Sequence, residues 1–250
     1  MIEQISPVTL SVQNLYRHFG ALAVVQGINL ELRRGTVLGL LGPNGAGKTT
    51  TMRMLTGNLA PSRGHIEICG IDLLDKPRDA KAHMGYLPEK PPLYLEMTVN
   101  EYLQLIARLH RINNQKIHAA VDSVKQRCGL ADQGKRLIST LSKGYQQRVG
   151  IAQAIIHDPD VIILDEPTVG LDPNQMREIR VLIRELGAAY SVILSTHILS
   201  EVESVCDHVY ILHQGRLVFD NTLAELKRKE TNLEMLFSQL TLDNEYIEST

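Results

Sequence analysis

A glycine-rich segment contains the residue types that bind a phosphate chain. With the spacing GxxxxGK[ST], it reads Gly42, Pro43, Asn44, Gly45, Ala46, Gly47, Lys48, Thr49 and Thr50. Backbone N–H groups of such a loop can converge on phosphate oxygens, and a helix from Lys48 onward adds its positive end. Lys48 can neutralise β and γ phosphates, and the Thr49 hydroxyl can ligate Mg²⁺. The segment predicts a P-loop; the weaker alternative is a glycine-rich turn without a ligand.

Two adjacent carboxylates end a second chemically suggestive segment. Residues 161–164 are wholly apolar, which is typical of a buried parallel strand, as are residues 37–41 before the P-loop. Parallel strands deliver their C-terminal ends to one edge of a sheet. Asp165 can therefore hold Mg²⁺ beside the P-loop, and Glu166 can act as general base for water attacking a γ-phosphate. The alternative, two surface charges, is uncommon at the end of an apolar strand.

Two ring side chains can complete a nucleotide site. His197 follows the apolar residues 192–195, so a third strand brings it to the same edge. It can touch a γ-phosphate there, although a lone histidine is more often structural. Phe19 precedes Gly20 upstream of the P-loop, and its ring can stack on adenine or pack in the core.

A second anion site is predicted at the start of a helix. Ser142 is the expected N-cap, and Gly144 follows it in the segment Leu-Ser-Lys-Gly-Tyr-Gln-Gln-Arg. Free N–H groups and the helix dipole can bind an anion at such an end. The alternative is an ordinary helix cap.

The elements that position these residues alternate between strand and helix. Antiparallel strands are expected at residues 8–13 and 28–32, a further strand at residues 65–69, and a helix from Lys48 to about Gly57. Residues 91–157 have few strand signals, and Thr98 to Glu101 form a capping box, so these residues predict a helical insert. A helix is also expected from Pro173 to about residue 189. Another is expected in the tail, where Thr222 to Glu225 predict a capping box. Lys227, Arg228 and Lys229 of that tail helix are interpreted as exposed to solvent. A hairpin around Gly215 joins residues 209–212 to residues 216–219.

Composition narrows the class of protein. The chain has 250 residues, of which 44% are hydrophobic, with 28 acidic against 26 basic side chains. That balance gives no reason to expect nucleic acid as a partner. Cys69, Cys128 and Cys206 lack CxxC spacing and are expected to be reduced, core-filling thiols. No apolar run approaches the ~18 residues of a membrane span, and the N-terminus lacks signal-peptide features, so a membrane role would need other chains.

In order and spacing, these motifs resemble the ATP-binding subunits of ABC transporters over residues 8 to about 220. The P-loop GPNGAGKTT, the signature LSKGYQQR, the segment VIILDEP, Gly170-Leu171-Asp172 and His197 carry the resemblance, and GYLPE is most similar to ABC-2 type exporters of the multidrug and gliding-motility branches. It implies an α/β fold, a P-loop NTPase (RecA-like) core with an antiparallel β layer and a helical subdomain inserted at about 91–157. The ATP-binding domain would span residues 1–222, followed by a helical tail at 223–250.

The resemblance also assigns site residues. It implies that Glu166 and His197 are catalytic, and that Thr49, Asp165 and Glu89 contact Mg²⁺, with Glu89 standing where the family usually has glutamine. ATP would be bound by Phe19, Gly42, Pro43, Asn44, Gly45, Ala46, Gly47, Lys48, Thr49 and Thr50. Ser142, Gly144, Gln146 and Asp172 would contact the nucleotide of the opposite subunit in trans. Lys143 stands where glycine is commoner.

The implied function is hydrolysis of MgATP that drives export. The implied partners are separately encoded membrane-spanning permease subunits and a second ATPase subunit, a homodimer arranged head to tail on the cytoplasmic face of the inner or plasma membrane. Residues 89–97 are expected to contact the permease through Leu93, Tyr94 and Leu95; alternatively, these side chains fill the joint between the core and the helical subdomain.

The main alternative function is that of a soluble non-transport ABC ATPase, but such relatives carry a second P-loop or a long coiled coil. Neither occurs here, and a P-loop kinase or GTPase has no need of the LSKGYQQR segment.

Overall fold

The computed structural model describes residues 6–242. Its strands are β1 Val8–Phe19, β2 Leu22–Arg33, β3 Val37–Leu41, β4 Arg63–Ile68, β5 Ile71–Asp72, β6 Met84–Leu87, β7 Val161–Asp165, β8 Ser191–Thr196, β9 His208–His213 and β10 Arg216–Thr222. Its helices are α1 Lys48–Leu55, α2 Pro77–Ala82, α3 Val99–Leu109, α4 Ile117–Arg127, α5 Lys143–Ile155, α6 Pro173–Gly187, α7 Leu199–Val205, α8 Leu223–Arg228 and α9 Leu233–Leu242. These elements form an α/β fold with two sheets.

The larger sheet has the order β10-β9-β3-β8-β7-β6, and it is parallel except for the β9–β10 hairpin. Every residue of β3, β7 and β8 is buried, as expected for strands covered on both faces. Leu41 pairs with Thr196, and Asp165 pairs with Ser195. The P-loop, Glu166 and His197 therefore follow neighbouring strands at one edge of the sheet, which confirms the predicted convergence.

The smaller sheet is antiparallel, with the order β2-β1-β4-β5. Its strands β1 and β2 are longer than predicted, because the pairing continues past irregularities between Val12 and Leu15. Asn14 lies there with φ 49°, so the alternation of apolar residues breaks although the strand does not. The short strand β5 and the helix α2 were not predicted.

The helices between residues 98 and 155 begin as their sequence predicts. The Thr98 hydroxyl accepts a hydrogen bond from the Glu101 N–H, and the Glu101 carboxylate accepts one from the Thr98 N–H at 2.8 Å. Ser142 caps α5 by accepting from the Tyr145 N–H. The capping box of α3 and the serine cap of α5 are thus confirmed.

Alternate residues of the parallel strands face two apolar clusters. Leu38 and Leu40 face α1 and the antiparallel sheet, whereas Val37 and Leu41 face the other side. That second cluster also contains the buried residues of α3, α4 and α5, including Tyr102. Residues 91–157 therefore share a core with the parallel sheet and do not enclose one of their own.

The tail differs from its prediction. It forms α8 and α9 where one helix was expected, and Leu223, Leu226 and Leu233 are buried against the core. The Thr222 hydroxyl accepts from the Glu225 N–H, but the Thr222 N–H donates to Asn221 Oδ1 at 2.8 Å. The predicted capping box is therefore only half formed, because a neighbouring side chain satisfies the donor that Glu225 would have bound. Residues 227–229 are exposed, as predicted, and the tail beyond residue 242 lies outside the described residues.

Two observations concern membrane and thiol chemistry. Between residues 6 and 242, every helix is too short or too polar to cross a bilayer. Cys128 and Cys206 are buried free thiols, as predicted, and burial raises the pKa of Cys128 to about 12. Cys69 lies in the β4–β5 turn with φ 51°, where it is only partly buried and packs against a core cluster, so the prediction that it fills the core is met only in part.

Candidate nucleotide-binding site

The P-loop joins β3 to α1 in a conformation that needs glycine. Gly47 has φ 105°, and a Cβ atom there would lie 2.9 Å from the Val24 carbonyl oxygen. A Cβ atom on Gly42 would lie 2.4 Å from the Leu212 carbonyl oxygen. No side chain caps α1. Its first N–H groups therefore remain available to an anion at the positive end of the helix.

Lys48 is held over this loop. Its ammonium donates hydrogen bonds to the carbonyl oxygens of Gly42 at 2.8 Å and Pro43 at 3.2 Å. It also lies 3.5 Å from Glu166 Oε1, and both side chains are buried. A buried ammonium requires nearby negative charge, which a phosphate chain can supply together with Glu166.

A cavity of about 520 Å³ opens above the loop. It is lined by Val24, Asn44, Gly45, Gly47, Lys48, Thr49, Thr50, Glu89, Glu166, Val169 and His197. Its volume falls within the range that suits small-molecule ligands. Asn44, Gly45 and residues 47–50 therefore share one cavity with the predicted catalytic side chains Glu166 and His197, whereas Gly42, Pro43 and Ala46 do not line it. Val24 and Val169 line the cavity without having been predicted.

Oxygen donors converge beside this cavity. Thr49, Glu89 and Asp165 line one adjoining groove. Burial raises the pKa of the Asp165 carboxyl, a hydrogen bond from the Ser195 hydroxyl opposes that rise, and Glu166 and Glu89 reinforce it. A hydroxyl and two carboxylates form the donor set that a hard cation such as Mg²⁺ prefers, and a divalent charge would offset the mutual repulsion of the carboxylates. The residues present fit Mg²⁺.

Glu166 and His197 are in direct contact. His197 Nδ1 lies 3.0 Å from Glu166 Oε2 and 3.1 Å from Glu166 Oε1. Glu166 has φ 47°, a left-handed conformation that is unusual for this residue type. Its N–H donates to the carbonyl oxygen of Ser195 at 3.2 Å and to the Ser195 hydroxyl oxygen at 3.1 Å. The strand end therefore holds the carboxylate towards the cavity and the histidine.

Ser195 is a functional position that sequence reasoning missed. Its hydroxyl donates to Asp165 Oδ1 at 2.5 Å while accepting from Glu166, so one side chain orders both carboxylates. The available signal was a serine that directly follows the apolar residues 192–194 in a strand expected to be buried, because a buried hydroxyl needs partners.

Phe19 does not pack in the core. Its ring is exposed, the Arg17 guanidinium carbon lies 4.5 Å from the ring centroid, and Phe19 is not among the residues that line the cavity. The exposed ring leaves one face free of core contacts, and the stacking role of Phe19 stays a prediction.

The signature residues form a second cluster. Ser142 and Gly144 begin α5, and a Cβ atom on Gly144 would lie 2.9 Å from the side chain of Gln175. Asp172 caps α6 by accepting from the Gln175 N–H at 2.9 Å. The Gln146 amide donates to the carbonyl oxygens of Ile138 at 3.1 Å and Leu141 at 3.3 Å. None of the predicted in-trans residues lines the P-loop cavity of its own chain.

Comparison with known proteins gives a consistent result. A family model described as ABC transporter matches residues 25–169. The ABC transporter ATP-binding protein NatA of Bacillus subtilis (strain 168) is 38% identical over 213 residues, covering 84% of this chain and 87% of that protein. The bacitracin transport ATP-binding protein BcrA of Bacillus licheniformis is 37% identical over 240 residues, covering 95% of this chain and 77% of that protein. A solved ATP-binding subunit of an ABC transporter has a TM-score of 0.82 at 32% identity, covering 93% of this chain and 99% of that chain.

Proposed function

This chain belongs to the ABC transporter family as an ATP-binding and ATP-hydrolysing subunit, and we propose that it powers an ABC-2 type exporter. The observation that carries the proposal is the shared cavity, in which the P-loop and Lys48 face Glu166 and His197. That arrangement suits a γ-phosphate held between a binding cation and a base. The family description, ABC transporter, and the transport role in the name of BcrA support a transport function.

Each residue has a separate task in this proposal. The P-loop N–H groups and Lys48 bind the phosphate chain, while Glu166 accepts a proton from the attacking water. His197 orients the Glu166 carboxylate through the Nδ1 contact and can reach the γ-phosphate from the same cavity. Mg²⁺, held by Thr49, Asp165 and Glu89, would supply charge neutralisation for the phosphate oxygens.

The proposed assembly is a head-to-tail homodimer with two ATP molecules between its subunits. It is supported by the position of Ser142 and Gly144 outside the lining of their own chain's cavity, because these residues could then bind the nucleotide of another chain. A two-fold arrangement supplies that contact twice. We place this dimer on the cytoplasmic face of the membrane, against separately encoded permease subunits.

Copurification tests the transport proposal. An affinity-tagged full-length chain, extracted from its source membranes in mild detergent, should carry a membrane-spanning chain with it and hydrolyse ATP. Recovery with cytosolic proteins alone, in an equally active form, would overturn the transport role while leaving the ATPase assignment in place.

A further inference from the structure

Glu201 is a buried carboxylate outside the nucleotide cavity. It lies on α7 with an exposed fraction of 2%, and it is not among the cavity-lining residues. The Thr168 hydroxyl donates to Glu201 Oε1, and the Thr196 hydroxyl donates to Glu201 Oε2. Both threonine side chains are buried as well. One carboxylate therefore joins two chain segments that are far apart in the sequence.

Those two segments are the ones that carry Glu166 and His197. Thr168 follows Glu166 by two residues, and Thr196 immediately precedes His197. The Thr196 hydroxyl also accepts a hydrogen bond from the Ile198 N–H at 3.0 Å, which fixes the turn around His197. The two hydroxyls that bind Glu201 thus belong to residues within two positions of Glu166 and His197, whose side chains lie 3.0 Å apart.

The energetic setting of Glu201 argues against a role in stability alone. Burial raises the pKa of its carboxyl, while the Thr196 hydrogen bond and Arg180 oppose that rise. The Arg180 guanidinium lies 3.8 Å from Glu201 Oε1, too far for a close ion pair. Replacing a buried ion pair with apolar residues of similar volume is often neutral or stabilising, because the pair must first repay the cost of desolvation. The two directed contacts of Glu201 also help to hold the left-handed backbone of Glu166, which needs support from its surroundings.

We propose that Glu201 is a positioning residue for ATP hydrolysis, which sets the geometry of Glu166 and His197 through Thr168 and Thr196 without touching the nucleotide. This inference rests on the catalytic roles proposed above for Glu166 and His197. It predicts that loosening either threonine contact slows turnover but leaves ATP binding to the P-loop unchanged.

The test uses near-isosteric variants of the full-length chain. Thr168→Val and Thr196→Val each remove one hydroxyl and should lower kcat about tenfold, with KM for MgATP changed less than about twofold. Thr168→Ser and Thr196→Ser keep the hydroxyl and should restore most of the rate. Glu203→Gln, an exposed glutamate on the same helix, is the matched control and should leave turnover unchanged.

Coupling between the variants provides a second readout. If the contacts of Glu201 with Thr168 and Thr196 act as a unit, the Thr168→Val/Thr196→Val double variant should be little slower than the slower single variant. The ¹⁵N chemical shifts of the His197 imidazole should move in Thr196→Val and not in Glu203→Gln. A merely structural role would lower the melting temperature without separating kcat from KM or moving those shifts.

A Glu166→Gln variant measured in parallel distinguishes a failure of the proposed catalytic role of Glu166 from a failure of the positioning role of Glu201. If Glu166→Gln keeps normal turnover, the proposed catalytic role of Glu166 fails. If Glu166→Gln loses turnover while both valine variants keep wild-type kcat, only the positioning role of Glu201 fails. Equal losses in kcat and ATP affinity in the valine variants would also overturn the positioning role, because ATP binding to the P-loop would then depend on the two threonine contacts of Glu201.

Discussion

His197 Nδ1 lies 3.0 Å from Glu166 Oε2, and both residues line one cavity together with Lys48. The carboxylate thus stands between a histidine and the P-loop ammonium, which lies 3.5 Å from its Oε1 atom. Contacts on both sides fix the direction of the carboxylate, so a water that approaches the γ-phosphate would meet an oriented base. Binding and proton transfer are therefore assigned to different side chains of one cavity.

Replacing the proposed base should separate hydrolysis from binding. Glu166→Gln should bind ATP, accumulate the proposed ATP-bound dimer and lose about 10²- to 10⁴-fold in turnover, because an amide cannot accept the water proton. Lys48→Ala is the contrasting variant and should weaken nucleotide binding itself. Steady-state phosphate release and equilibrium binding measure the two effects. Near-normal phosphate release by Glu166→Gln would remove Glu166 as the base.

Labelling can test whether Ser142 acts in trans. A photoreactive γ-phosphate analogue of ATP is mixed with wild-type chains and tagged Lys48→Ala chains, which bind nucleotide poorly. The tagged chain should be labelled within residues 142–148 only when wild-type chains are present, because its signature would contact the partner's nucleotide. The tagged chain alone is the control. Label found solely on the wild-type chains would contradict the head-to-tail arrangement.

The surface at residues 93–95 should contribute to membrane attachment. Tyr94 is 52% exposed and Leu95 is 47% exposed, whereas Leu93 packs against the core and fits the alternative that it plugs the joint. Leu95→Glu should release the protein from membranes with ATP binding intact, since a charge cannot occupy an apolar contact without cost. Val181→Glu, at a 53% exposed position on α6, is the matched control for membrane fractionation. A large fall in melting temperature for Leu95→Glu alone would favour the core role.

Elements could be predicted from the sequence where a single physical cause, such as the burial of both faces of a strand, sets the pattern of residues. The apolar runs at residues 37–41, 161–164 and 192–194 indicate β3, β7 and β8, because both faces of these strands are covered, and the P-loop has a fixed spacing of glycines. In contrast, β1 and β2 extend through an irregularity at Asn14 that interrupts the alternation of side chains. Elements built from regular periodicity could be predicted, and those continued by a bulge could not.

Contacts between distant segments remained outside sequence reasoning. Nothing near Glu201 indicates that its carboxylate reaches Thr168, 33 positions away, because that contact requires β7 and β8 to be neighbours in the sheet. The same holds for Ser195 and Asp165. The motifs predicted the candidate catalytic residues, whereas the residues that contact and orient them depend on strand order.

Acid should weaken the fold through His157. Burial and the neighbouring His110 lower the pKa of His157 to about 4, and the two rings stack with centroids 3.8 Å apart. The unfolded imidazole titrates near 6.5, so the stabilisation is fully present above that pH and is lost as the pH falls towards about 4.

Urea unfolding at several pH values checks this prediction. Between pH 7 and pH 4.5 the free energy of unfolding should fall by about 2 kcal/mol more in the wild type than in His157→Gln. His118→Gln, at an exposed position on α4, should follow the wild type. Identical pH slopes for wild type and His157→Gln would contradict the prediction.

Glu89 should make ATP binding depend steeply on Mg²⁺. It lines the same cavity as Thr49 and Glu166 and adjoins Asp165, so its charge faces both the proposed metal site and the phosphate chain. An ionised carboxylate attracts a hard cation more strongly than a neutral amide does, yet it repels a γ-phosphate when no cation lies between them. Attraction dominates with Mg²⁺ present, and repulsion acts alone without it.

Glu89→Gln should therefore bind metal-free ATP more tightly than the wild type and still hydrolyse MgATP, because Glu166 and the P-loop are unchanged. Nucleotide affinity titrated with Mg²⁺ and with a chelator measures the difference, and Glu96→Gln, an exposed neighbour, controls for net charge. Equal metal dependence in wild type and Glu89→Gln would mean that Glu89 does not sense the ion.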